Sequence, residues 1–301
     1  MTVCIAAITG WGTQIVSASD QMLTMSGEYV ADKVATKRLQ VCSDWDVFAA
    51  GDLGVAKLIV DKMKSPPDRW RESRSVLEVS RRLKESYQEQ LRDEAGDEIL
   101  SIYGWSTREF MHKALSTTDS QSALMADLRH RLDGYVLDCD LLGCGFDEDG
   151  VAHIFSVTHP GKLAIHDEPG FWAIGSGANA ALSTLFSRAQ RPDTMMHDTI
   201  YQVCEAKFVS ERVPGVGEET DIGMLEPKGV RTSFNKSVGK IRKCWERERK
   251  RPIPTKAVDT ILDDYQHTVD TREKAKKAMD AARARRAAQQ SNASSSSPSE
   301  P

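Results

Sequence analysis

A β-prone apolar run opens this chain and then turns back on itself. Residues 1–8 read MTVCIAAI, Gly10 and Gly12 punctuate a turn, and residues 13–19 read TQIVSAS. Two such runs around a glycine-rich tip predict a hairpin. A hairpin imposes antiparallel pairing, which argues against a βαβ parallel sheet. Residues 34–41 and 46–50 predict two further strands, joined near Ser43 and Asp44. Helical spacing follows over 53–63, with Leu53, Ala56, Leu58, Ile59 and Met63 on one side, until Pro66 and Pro67 stop it. A charge-rich helix is expected over 75–95, its apolar stripe made of Val76, Leu77, Val79, Leu83, Tyr87 and Leu91. Shorter helices fit 107–116 and 121–132. Strands return at 135–144 and 151–157 around the turn Asp147-Glu148-Asp149-Gly150, then at 162–166 and 171–174. Helices fit 178–189 and 194–211, and a last strand pair fits 220–225 and 229–234. The order is strands, helices, strands, helices, strands. It predicts an α+β chain with two antiparallel sheets between two helical layers, so that each helix buries one face.

Charge divides the chain. Residues 236–286 hold sixteen Lys and Arg against eight Asp and Glu, while residues 1–235 hold 24 against 35. An acidic body over 1–235 is therefore followed by a basic extension over 236–288, helical and split by Pro252 and Pro254. A polar tail, QQSNASSSSPSEP, closes the chain over 289–301 and is expected to be disordered. A basic arm suits nucleic acid or an acidic partner. This one has no interleaved aromatics for base stacking, so nucleic acid is not expected.

Several classes are excluded by absence. No run of eighteen apolar residues predicts a membrane-spanning helix, and the first residues lack the basic start of a signal peptide. The six cysteines form no CxxC pair, so free thiols in a reducing, cytoplasmic setting are expected. The seven histidines and six cysteines lack zinc-ligand spacing. DEDG at 147–150 lacks the further oxygen ligands of a calcium loop, and GWGT at 10–13 lacks the Lys of a phosphate loop. No metal and no cofactor is expected.

Thr2 is the residue with the most chemical promise. Methionine before a small residue is a common substrate for initiator-methionine removal. Without Met1, Thr2 carries a hydroxyl and a free α-amine of pKa near 8. Such an amine can take the hydroxyl proton at neutral pH. Asp20 closes the second predicted strand and can stand beside the start of the first. A buried Lys37 would lower the effective pKa of a nearby hydroxyl. Gly51 follows an apolar strand and opens a helix, where its N–H could serve an oxyanion. Cys4 shares a strand face with Thr2 by alternation and reads as a packing residue.

Together these segments resemble proteasome β-type subunits and their bacterial relatives, which include the peptidase HslV and the homologue Anbu. The counterparts here are TVCIAAI, SASD, ADKVATK and AAGDLGVA, with LLGCGFDEDGVAHIFSV and GFWAIGSGANAALSTL later in the chain. The opening MTVC is closest to the Anbu type. The resemblance covers about residues 1–225. It implies an N-terminal-nucleophile hydrolase fold, a four-layer αββα sandwich. By position Thr2 would be the nucleophile and its α-amine the base. Asp20 and Lys37 would be the supporting pair, Gly51 the oxyanion donor and Ser176 the supporting serine. The implied reaction is amide hydrolysis through an acyl ester. The implied partners are a peptide or protein substrate and further copies of the chain, with an ATPase as a further candidate. Three departures stand out. The hairpin between Thr2 and Asp20 is two residues longer than the family pattern. The family's late Asp and Ser are not in place in ERVPGVGEETDI, where Glu218 or Glu219 is the candidate substitute. The 236–301 extension is unmatched. A non-catalytic subunit of the same fold is the competing reading.

Overall fold

A computed structural model of the chain describes residues 2–25, 29–31, 36–65, 75–115, 122–250, 263, 266–277 and 279. Strands and helices of the described residues are numbered in chain order. The strands are β1 (Cys4–Thr9), β2 (Gln14–Asp20), β3 (Leu23–Met25), β4 (Tyr29–Ala31), β5 (Arg38–Gln40), β6 (Trp45–Gly51), β7 (Cys139–Phe146), β8 (Ala152–Thr158), β9 (Lys162–Ile165), β10 (Phe171–Ile174), β11 (Thr220–Glu226) and β12 (Val230–Ser233). The helices are α1 (Leu53–Met63), α2 (Val76–Ile99), α3 (Thr107–Leu115), α4 (Ser122–Asp133), α5 (Ala178–Ser187), α6 (Met196–Ser210) and α7 (Val238–Arg249). The chain divides into two compact units, Met1–Trp245 and Glu246–Pro301. In the second unit the described residues include a helical run over 266–277. Among the described residues no helix is long and apolar enough to cross a membrane.

Two five-stranded sheets, ordered β10-β1-β2-β11-β12 and β5-β6-β7-β8-β9, stack face to face, and every pairing in them is antiparallel. Strand alternation sorts the core into three layers. Cys4, Ala6, Ile8 and Ile15 meet Phe48, Leu142, Cys144 and Ile154 between the sheets. Val3, Ile5, Ala7, Val16 and Ala18 face the other way, against Leu185, Val203 and Ala206 of α5 and α6. Val47, Leu141 and Phe155 pack on Ile59, Met63, Leu83 and Tyr87 of α1 and α2. Burial of both faces explains why CIAAI is apolar throughout instead of alternating. This is the four-layer αββα arrangement expected above. Local chemistry sets the helix starts. Asp52 caps α1 by accepting from the Gly54 and Val55 N–H groups at 2.7 and 3.1 Å. Ser75 accepts from Glu78, three residues on, at the start of α2.

Some expected details differ. Leu58 and Leu77 are exposed, and Val60 takes the buried place on α1. An apolar residue flanking the stripe lies too far around the helix to reach the sheet. Residues 135–138 are irregular, and β7 begins only at Cys139. The short β3–β4 ladder is too brief for a period to register. Of the strand expected at 34–41, only Arg38–Gln40 is extended pairing, and 34–35 lie outside the described residues. Most of the helical extension expected beyond Pro254 and the whole tail 289–301 also lie outside them.

Candidate active site

The β1–β2 register runs from Cys4 opposite Ser19 to Thr9 opposite Gln14. It carries Asp20 alongside Val3, and the Asp20 N–H donates to the Val3 carbonyl at 3.2 Å. The ladder runs without interruption up to the tip. There Gly10–Gly12 form a 3-10 turn, with Trp11 in the left-handed region at φ 62°. The base of the hairpin is therefore undisturbed. The Thr2 hydroxyl donates to Asp20 Oδ1. The Val3 N–H donates to the same oxygen at 2.9 Å, and the Met22 N–H to Oδ2 at 3.1 Å. Asp20 and Thr2 are both buried, and these donors satisfy the carboxylate.

The other side of Thr2 is held by the Gly175-Ser176-Gly177 turn. Pairing of Cys4 with Ile174 brings the turn there. The Thr2 nitrogen donates to Ser176 Oγ at 3.2 Å, and the Thr2 carbonyl accepts from the Gly177 N–H at 3.2 Å and from Ser176 Oγ at 3.4 Å. Gly175 has φ +90°, and a Cβ there would overlap the Thr2 carbonyl oxygen. A Cβ on Gly177 would stand 2.9 Å from that of Val3. Only glycine permits so close an approach.

Lys37 is buried, and its carbonyl accepts from the Ala49 N–H at 3.0 Å, which ties it to β6. Lys37 and Asp20 both act electrostatically on the Cys4 thiol. Burial first, and Asp20 second, push that thiol far above its ordinary range, and Lys37 opposes them. Cys4 Sγ points at the Ala49 carbonyl, 3.5 Å away. That is the environment of an inert packing cysteine. Gly51 ends β6 at φ +96°, where a Cβ would overlap the Asp138 carbonyl. Thr2 thus touches both Asp20 and Ser176, and Lys37 acts with Asp20 on the neighbouring Cys4 thiol. Gly51 stands at the strand end and shares no described hydrogen bond with the other four.

Sequence reasoning missed Lys207. It is fully buried on α6, between Ala206 and Phe208. Its Nζ donates to Glu211 Oε1 at 2.6 Å, to the Gly217 carbonyl at 2.7 Å and to the Glu218 carbonyl at 3.4 Å. Arg242 of α7 grips the same Glu211 with both guanidinium arms, at 2.6 and 2.7 Å. The one visible signal was a lysine inside an otherwise apolar helical segment, AKFV.

A separate cleft of about 580 Å³ opens at the far end of β1, lined by residues including Trp11, His153, Asp167 and Phe186. His153 there bridges Asp167 at 2.7 Å and Asp147 at 3.2 Å. Burial pulls the imidazole pKa down, but its hydrogen bonds and charge contacts with the two carboxylates outweigh this and raise it above the usual value. A folded pKa above the unfolded one means stability that is full below about pH 6.5 and is lost as pH rises through the folded value. Melting temperature should therefore decline from pH 6.5 to pH 9 in the wild type. In His153→Gln that decline should be flatter.

No protein-family model matches the sequence, and no curated protein matches it either. Solved structures do match. Anbu (ancestral beta-subunit) from Yersinia bercovieri superposes with a TM-score of 0.58 at 15% identity, over 82% of this chain and 94% of that one. The Gly-1 mutant of Anbu from Hyphomicrobium sp. strain MC1 gives 0.57 at 12% identity, over 83% and 96%. The chain has the proteasome-like N-terminal-nucleophile hydrolase fold. The segment that leads into β11 is the one gripped by Lys207, through the Gly217 and Glu218 carbonyls.

Proposed function

We propose that the chain is a threonine-type amide hydrolase that acts on peptides within a proteasome-like assembly of identical copies. The observation that carries this reading is the double clamp on Thr2, with Asp20 on its hydroxyl and Ser176 on its nitrogen. Loss of Met1 turns that nitrogen into an α-amine beside the hydroxyl. The amine takes the hydroxyl proton as the oxygen attacks the substrate carbonyl. Asp20 orients the hydroxyl, and Lys37 supplies positive charge near the reacting oxygen. The Gly51 N–H is assigned to the oxyanion. The amine proton then passes to the leaving nitrogen, the C–N bond breaks, and an acyl ester remains on Thr2. Water hydrolyses this ester by the same proton path in reverse.

Intact mass and N-terminal sequencing of the protein from its own host test the reading. The expected product lacks Met1 and begins at Thr2. Retention of Met1 would leave an amide nitrogen with no basic lone pair and would overturn the proposal. That outcome favours the non-catalytic subunit, a reading supported by the missing Asp and Ser before β11.

A further inference from the structure

We propose that Lys207 is a positioning residue for Asp20 and Thr2, and that α7 is part of the site because it holds Lys207 through Glu211. The inference rests on the hydrolase reading given above.

The argument begins with what surrounds the ammonium. Lys207 has three N–H donors, and each has an acceptor: one carboxylate and the carbonyls of Gly217 and Glu218. Those two carbonyls immediately precede β11. The first residues of β11 pair with β2, Thr220 opposite Asp20 and Asp221 opposite Ser19. Lys207 therefore pins the segment that sets Asp20 from its second side, β1 having set it from the first. Charge adds a second route. Val16 and Ala18 pack into the core facing α6, and Asp20 follows on the same strand. Its carboxylate acts electrostatically on Lys207. Asp20 thus acts on the buried Lys207 of α6, while the buried Lys37 acts with it on the Cys4 thiol.

Glu211 and Arg242 keep this arrangement in place. Burial lowers the Lys207 pKa, while the charge and hydrogen bond of Glu211, and then Asp20, oppose that shift. A buried ammonium without such a partner would be costly. Arg242 fixes Glu211 in a bidentate pair, donates to the Glu218 carbonyl at 3.0 Å, and lies over the Phe208 ring at 4.0 Å. Trp245, one turn further on, is buried against Phe208, with the ring centroids 5.4 Å apart. The start of the basic extension is thus anchored in the same core as the site.

Lys207→Met and Lys207→Arg in the full chain test this, with a peptidyl aminocoumarin amide that the wild type cleaves as the probe. Lys207→Met should lower kcat on the order of 10²-fold, the scale of a small misplacement of the reacting groups, with KM within about twofold. Lys207→Arg should recover at least about tenfold of the loss, because a cation again reaches the carbonyls. Unchanged kcat in folded Lys207→Met overturns the proposal. Amide hydrogen exchange at Val3 and Met22, whose N–H groups both donate to Asp20, gives a reading that needs no activity. Both amides should exchange faster in Lys207→Met, and Ile5 and Ala7 should not. If the wild type shows no Thr2-dependent hydrolysis, the hydrolase reading fails, and unchanged exchange at Val3 and Met22 then overturns the positioning role as well. If Lys207→Met does not fold, Arg242→Met is measured in its place, with a smaller loss in the same two readouts. No change in either overturns the proposal.

Discussion

On the hydrolase reading, Thr2→Ala should abolish amide hydrolysis, a loss on the order of 10³-fold or more, while the two sheets stay as they are. The backbone and Cβ remain; the side chain gives up its γ-methyl and the hydroxyl that donates to Asp20 Oδ1. That oxygen keeps its bond from the Val3 N–H. Loss of a buried hydrogen bond to a charged group costs about 1.5–3 kcal/mol, which a domain with stability of about 5–15 kcal/mol survives. Thr2→Ser restores a hydroxyl at the same place and should return hydrolysis to within about tenfold of the wild type. Cys4→Ala is the informative companion. Its thiol is buried and aimed at a carbonyl, so its loss should leave the rate unchanged and cost only packing. Activity that survives Thr2→Ala and disappears in Cys4→Ala would move the nucleophile to Cys4. A continuous assay of peptidyl amide cleavage, with denaturation curves for each variant, decides between them.

The second large effect is expected at Gly175. Its φ of +90° is one that side chains rarely adopt, and an added Cβ would overlap the Thr2 carbonyl oxygen. Backbone strain and overpacking each cost about 1–3 kcal/mol, so Gly175→Ala should lose at least about 2 kcal/mol in urea unfolding. Hydrolysis should fall on the order of 10²-fold, because relief of the overlap pushes Thr2 away from Asp20. Gly12→Ala is the control. Gly12 has φ +84° with open space where the Cβ would go, so it carries the strain without the overlap. About 1 kcal/mol and an unchanged rate are expected there. Equal effects at the two positions would show that backbone strain alone acts, and that the turn does not locate Thr2.

What the sequence revealed and what it hid follow from the range of each interaction. The hairpin was legible because its pattern is local: apolar runs, a glycine tip, and a carboxylate at the base. That locality also makes Thr2 and Asp20 neighbours despite the longer loop, since a tip can lengthen without moving the register below it. Ser176 could be placed only by likeness to a family motif, because nothing near residue 2 hints at a partner 174 positions away. Lys207 left almost no trace. Two of its partners are backbone carbonyls, which every residue type offers alike. Leu58 and Leu77 failed for the opposite reason, because a one-dimensional stripe gives a direction on the helix and not the width of the surface it meets.

On the hydrolase reading, which requires removal of Met1, the burial of Thr2 also places a deadline on its maturation. An aminopeptidase must draw an extended N-terminus into its own cleft, and Thr2 in the folded chain is 1% exposed and bonded on both sides. Removal of Met1 therefore has to come before β1 is enclosed. The residue that closes over the Thr2 nitrogen is Ser176, synthesised 174 positions later. At about 5–20 residues per second, translation leaves a window of about 9–35 s between the two. Maturation is then a race on the ribosome, and a chain that folds with Met1 still attached has missed its opportunity.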